Sequence, residues 1–203
     1  TYGSMLIDGS LNTIQNIELG LESVENVLLD VVDQFNHLDT VDALLESIRT
    51  ETHQVYPPNL GKTLAYSFNY LGRGYESIKA FNPSEKYLTA SLLLNYRIND
   101  RNGYSIGLST MVYTQIGLGK YETAFKHWDA YIKSIPRKNT FALLFGLDQI
   151  SQIAEHVSSD SYNEKINFFL RRLFEEIDSE KLASSLSPKQ KDVNAFLVQV
   201  NTT

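Results

Sequence analysis

Ile14, Ile17, Leu21, Val24, Leu28, Val31, Phe35 and Leu38 follow one another at alternating steps of three and four residues. That spacing lays eight apolar side chains along one stripe of a helix beginning near Leu11, with its acids on the other faces. Leu19, Val27, Leu29 and Val32 widen the stripe, which favours burial in a helical bundle over a coiled-coil seam. Pairing of helix 11–36 between chains, giving a homo-oligomer, is the alternative. Gly20 costs about 1 kcal/mol of helix propensity relative to Ala and marks a close helix contact.

The rest of the chain is punctuated in the same way. Asp39-Thr40 caps a second helix over 40–54, with Val41, Leu44, Leu45 and Ile48 on its buried side. "VYPPNLG" (55–61) stops it, because proline lacks the N–H and restricts the residue before it. Helices are then expected near 62–81, 83–98, 103–118, 120–135, 139–157, 161–178 and 188–200. In "FNPSEK" Asn82 serves as N-cap, Pro83 as first helical residue and Glu85 as the returning acid of a capping box. No alternating strand pattern bounded by hairpin turns occurs. The expected fold is all-α, in two parts: an acidic helical hairpin over 1–55, and a helical-repeat region over 60–203 packed beside it.

Charge is distributed unevenly along this frame. Residues 1–48 hold nine acids and no Lys or Arg, whereas 62–138 hold eleven bases and five acids, a surplus of +6 in a chain of net −6. Solvated helix faces of opposite sign account for this; the alternatives are that the acidic start packs near the basic middle, or that the two ends meet different partners. Cysteine is absent, which excludes disulfides, thiolate metal sites and cysteine nucleophiles. No apolar run reaches the roughly 18–20 residues of a membrane span, and no signal-peptide pattern opens the chain. The expectation is an intracellular protein, in cytoplasm or organelle.

A weak internal repeat joins these helices. "LGRGYESIKAF" (71–81) and "LGKYETAFKHW" (118–128) share Leu-Gly, a basic residue and Tyr-Glu-Ser/Thr, and a third Tyr-led helix, "YNEKINFFLRRLF", starts at Tyr162. Repeated hairpins of this kind suit a helical solenoid, in which each hairpin covers the apolar face of the last. Within "IGLGKYETAFKHWDAYIKSIP" (116–136), Gly119, Tyr121, Ala124, Trp128 and Pro136 resemble the second half of a tetratricopeptide repeat. Leu108 and Met111 suit that family's first helix, while Val112, Gln115 and Tyr131 depart from its pattern. "GKYETAFKHW" with "KNTFALLFGL" is also similar to a pentatricopeptide repeat, although Pro136 lies about two residues early for that family.

The resemblance implies a helical-hairpin repeat, an α-solenoid-like right-handed array without catalysis that binds a protein or peptide. In the family register Ser109, Tyr113 and Ile116 would face the groove, and the weaker repeat adds Tyr66, Asn69 and Arg73, whose charge favours an acidic peptide. The pentatricopeptide likeness implies RNA instead, bound by the basic, Tyr-interleaved middle. A structural or oligomerising role for helix 11–36 is the third reading.

Chemistry of other kinds lacks its residues. "NLGKT" (59–63) ends like a phosphate-binding loop, but Tyr56 stands where the earlier glycine belongs. "GRG" (72–74) lacks the third glycine of a dinucleotide fingerprint. His37, His53, His127 and His156 show no metal-ligand spacing, so no cofactor or metal is expected. Glu175-Glu176 reads as a solvated helix face rather than a catalytic pair.

Overall fold

A computed structural model describes residues 14–34, 40–50, 58–157 and 160–177. Among these the fold is all-α: α1 (Ile14–Gln34), α2 (Val41–Thr50), α3 (Pro58–Ser77), α4 (Phe81–Arg97), α5 (Arg101–Gly117), α6 (Tyr121–Ser134), α7 (Thr140–Ile153) and α8 (Asp160–Glu176), with no strand. The helix expected over 188–200 lies outside the described residues, as do "VYPPNLG" up to Pro57 and most of the Ser-rich break near 158. The chain divides into two compact units at Leu118/Gly119. The acidic helices therefore share a unit with α3 to α5, and the boundary cuts through the tetratricopeptide-like stretch.

Local chemistry explains where the helices start. Thr40 Oγ1 accepts the Ala43 N–H (3.1 Å), Asp100 Oδ1 the Gly103 N–H (2.9 Å) and Asn139 Oδ1 the Ala142 N–H (3.1 Å). Each satisfies one of the orphan donors of a first turn. Helix α4 departs from the expected cap. It begins at Phe81 after Ala80, which has no side-chain acceptor, so Asn82 is already helical. Pro83 is then the third helical residue, where a missing N–H removes only a donor with no intrahelical partner.

The preceding turn sets that earlier start. The Ala80 N–H donates to the Tyr75 carbonyl and the Lys79 N–H to that of Glu76, both at 2.8 Å. The Asp100 and Asn99 N–H groups repeat the pattern onto Asn95 and Tyr96 at 2.9 and 3.2 Å. These paired bonds are Schellman closures, which require a left-handed residue after the helix. Lys79 (φ 61°), Asn99 (56°), Gly119 (69°) and Lys138 (65°) are left-handed, at successive intervals of 20, 20 and 19 residues. Only Gly119 takes this conformation without a Cβ penalty. Lys79→Gly should therefore stabilise the first unit by about 0.5–1 kcal/mol, read as a raised urea midpoint.

These turns also correct the internal repeat. Leu71-Gly72 lies inside α3, whereas Leu118-Gly119 straddles a turn, so Tyr75 and Tyr121 do not hold equivalent places. The structural counterparts of Gly119 are Lys79 and Asn99. Sequence likeness misses this because side chains as different as Lys, Asn and Gly can all occupy the left-handed position.

In the first unit the α1 stripe packs inward at Leu21, Val24 and Leu28. It joins Leu44 and Ile48 of α2, Leu64, Phe68 and Leu71 of α3, and Tyr87 and Leu94 of α4 in one cluster. Leu19 does not widen this stripe, being 51% exposed. Helices α3, α4 and α5 approach through small and polar residues. A Cβ on Gly72 would collide with Leu88, and one on Gly107 would meet Leu92 at 3.0 Å and Asn69 at 3.4 Å. Buried Ser84 Oγ hydrogen-bonds the Gly72 carbonyl (2.8 Å) and lies 2.7 Å from Thr114 Oγ1, while Ser91 Oγ donates to the Ala65 carbonyl (2.8 Å). Such bonds satisfy the buried Ser84 and Ser91 hydroxyls of α4.

The second unit is built on aromatics. Trp128 is 1% exposed, donates Nε1–H to the Gly146 carbonyl (2.8 Å), and packs on Phe125 and edge-on to Phe169. Ala124, Leu143, Leu147, Ile150 and Leu173 complete its interior.

Candidate functional site

The six residues expected to bind a partner lie on α3 (Tyr66, Asn69, Arg73) and α5 (Ser109, Tyr113, Ile116). Asn69 is buried, 5% exposed, with its amide against Gly107, so it belongs to helix packing rather than to an open groove. Tyr66 is half-buried and its hydroxyl lies 3.5 Å from Asp100 Oδ2, at the start of α5. Arg73, Tyr113, Ser109 and Ile116 are half-buried, and Ser109 Oγ bonds the Ile106 carbonyl of its own helix (2.9 Å). The α3 and α5 members thus share a unit, but their side chains offer a thin surface.

Beside them is a buried polar clasp that sequence patterning did not point to. Tyr75 of α3 and Tyr87 of α4 stack with centroids 5.6 Å apart, and both hydroxyls donate to Glu25 Oε1 of α1, at 2.8 and 2.9 Å. Burial first, and then the Glu25 carboxylate, pushes the Tyr75 phenol up to about 12 and raises that of Tyr87 further. The clasp anchors the acidic first helix and offers no reactive group to solvent.

A folded-state value above the unfolded one, about 10 for tyrosine, means stability fully present below that pH and lost as the pH climbs through the folded value. Urea unfolding of the chain should show an alkaline decline beginning near pH 10. Tyr87→Phe should flatten that decline and cost about 1.5–3 kcal/mol at neutral pH. An unchanged alkaline limb would remove the clasp from the account.

The second unit presents a different surface. A cleft of about 780 Å³ opens between the α6–α7 turn and α8, lined by Ile135, Arg137, Lys138, Phe168, Arg171, Arg172, Glu175 and Glu176. Phe168, Arg171, Arg172 and Glu175 share one face of α8 by their spacing. Arg172 is committed to the fold. Its guanidinium donates to the Ile132 (2.9 Å), Ile135 (2.9 Å) and Pro136 (3.1 Å) carbonyls at the end of α6, and to Glu176 Oε1 (2.8 Å).

Glu176 in turn accepts the Lys138 amide at 2.6 Å, and the hydrogen bond from Arg172 holds its carboxyl below the usual range. The Arg137, Lys138 and Arg171 side chains are exposed, and the positive charge of Arg137 adds to the lowering of the Glu176 carboxyl.

Phe168 lines this cleft, and further aromatics of the second unit are exposed elsewhere. Phe168 is 63% exposed and Phe174 46%, on α8, while Phe141 (72%) and Phe145 (40%) pair on α7 with centroids 4.8 Å apart. The signal for them was present in the sequence. Ile166, Phe169, Leu170, Leu173 and Ile177 form the buried stripe of α8, which leaves Phe168 and Phe174 off it. In "NFFLRRLF" (167–174) the exposed and buried aromatics are told apart only when the helical faces are separated.

Among the described residues no group of three or more His, Asp or Glu side chains is placed to hold a metal ion, and no helix is long and apolar enough to cross a membrane. His156 stacks on Tyr121 at 3.7 Å, and His127 Nδ1 contacts the Thr123 carbonyl of its own helix at 3.2 Å. No protein-family model matches the chain, and neither a curated protein nor a solved structure matches it.

Proposed function

We propose that the chain is a non-catalytic interaction module, a divergent helical-hairpin repeat that binds a protein or peptide. The observation that carries this reading is the exposed aromatic area of the second unit, set on helices whose opposite faces are well packed. Large exposed aromatics on a firm scaffold, with solvent-exposed guanidinium groups on the same unit, are what recognition surfaces use.

The repeat reading, α-solenoid-like and tetratricopeptide-like, is supported by the left-handed turn residues returning every 19–20 positions. A helix pair then spans roughly 40 residues, longer than the roughly 34 of a tetratricopeptide unit, hence a divergent array. Of the two units, the second exposes more aromatic side chain, at Phe141, Phe145, Phe168 and Phe174, than the α3–α5 line of Tyr66, Arg73, Ser109, Tyr113 and Ile116.

RNA binding has one observation in its favour. Tyr96 is 77% exposed, tilts against Tyr104, and lies near exposed Arg101, an arrangement suited to base stacking. The oligomerisation reading draws least support, because Leu21, Val24 and Leu28 of α1 are already packed within the chain.

Selection of displayed random peptides on the immobilised full chain tests the proposal. One enriched motif is expected, with binding reduced by Phe141→Ser or Phe168→Ser at unchanged helicity. Selection that enriches no motif sinks it.

A further inference from the structure

The cleft between the α6–α7 turn and α8 carries more than an unassigned exposed surface. Its rim holds three exposed cations from two directions, Arg137 and Lys138 on the turn and Arg171 on α8. Its floor includes Ile135, only 5% exposed, and Phe168 stands on the wall largely bare. The geometry is held firmly, because Arg172 ties three carbonyls of the turn to α8 and Glu176 closes the loop onto the Lys138 amide. Lys138 is held left-handed at φ 65°, a conformation that costs a lysine energy and that the two Arg172–Glu176 anchors maintain.

We infer that this cleft is a recognition site for a short acidic peptide segment carrying one apolar side chain. The inference rests on reading the chain as an interaction module and specifies its partner. Charge complementarity sets the class. Carboxylates pair with guanidinium groups through two parallel hydrogen bonds, and Arg137 and Arg171 are available for that geometry. The apolar side chain would lie on Phe168, whose exposed ring it would cover, supplying the non-directional part of the affinity.

A nucleic-acid strand fits less well. Phosphate binding needs a positive groove that follows successive phosphates, whereas here the Glu175 carboxylate interrupts the wall of a compact cleft. The same Glu175 works mildly against an acidic peptide, so neutralising it should tighten binding.

Fluorescence anisotropy on the full chain would use the labelled peptide acetyl-DEDFEEL-amide, with acetyl-KRKFKRL-amide and a labelled oligouridylate as comparisons. The acidic probe is expected to bind. Arg137→Glu with Arg171→Glu should weaken it at least about tenfold, and Phe168→Ser several-fold, with melting unchanged. Glu175→Gln should bind it as tightly as the parent or more so.

No binding of the acidic probe, unchanged affinity in the charge-reversed variant, or tighter binding of oligouridylate overturns the inference. If a library-selected peptide binds while every cleft variant leaves its affinity intact, the cleft assignment fails and the interaction reading survives. If selection yields no binder at all, the interaction reading itself fails.

Discussion

Trp128→Ala should lower the stability of the second unit by about 3–5 kcal/mol. Trp128 is the chain's one tryptophan, and its removal empties the space between Phe125 and Phe169. It also leaves the buried Gly146 carbonyl without the indole N–H that now reaches it at 2.8 Å. Neighbouring rings cannot close the gap, since Phe125 and Phe169 are themselves fully buried and held by other contacts. Urea unfolding followed by far-UV circular dichroism gives the value. Trp128→Phe should recover much of the lost packing but not the hydrogen bond, leaving a deficit of about 1–2 kcal/mol. A loss under about 1 kcal/mol for the alanine variant would mean that the aromatic cluster is not the centre of this unit.

Arg172→Ala should cost about 3 kcal/mol, because it unpairs the largely buried Glu176 carboxylate and strips three turn carbonyls of their donor. The ion pair is 15% and 12% exposed on its two sides, so solvent screens it weakly. Arg172→Lys should recover little, since one ammonium cannot reach both the carboxylate and the spread of carbonyls.

The pH dependence follows from the lowered Glu176 carboxyl. A folded value below the unfolded one, about 4.3, gives stability that is present above that pH and lost as the pH falls through the folded value. The parent should therefore lose stability in acid more steeply than Arg172→Ala. Trp128 fluorescence reads this directly, as the sole tryptophan lies in the second unit.

Helices were readable from this sequence where start and stop chemistry was local. Thr40 was read as a cap and is one, and Pro136 follows the end of α6 at Ser134; the Asp100 and Asn139 caps went unread, and α5 begins at Arg101, two residues before its expected start at 103. Helix α4 was misplaced by two residues because a turn closed by backbone bonds alone, at Tyr75–Ala80, leaves no side-chain cap to read.

The division at Leu118/Gly119 was not readable either. A left-handed turn looks alike whether it lies inside a unit or between two, so nothing local singles out Gly119. Asn69 looked like a groove residue because helix spacing does not reveal that Gly107 opens a notch for its amide.

The central claim is that this chain acts through a binding surface on α8 and the α6–α7 turn. Amide hydrogen exchange of the full chain, with and without a saturating library-selected peptide, tests it most directly. Slowed exchange should appear at Arg137 and Lys138 and along α8 around Phe168 to Glu175, while α3 to α5 remain unchanged. Protection confined to α3 and α5, or absent from every helix, would contradict it.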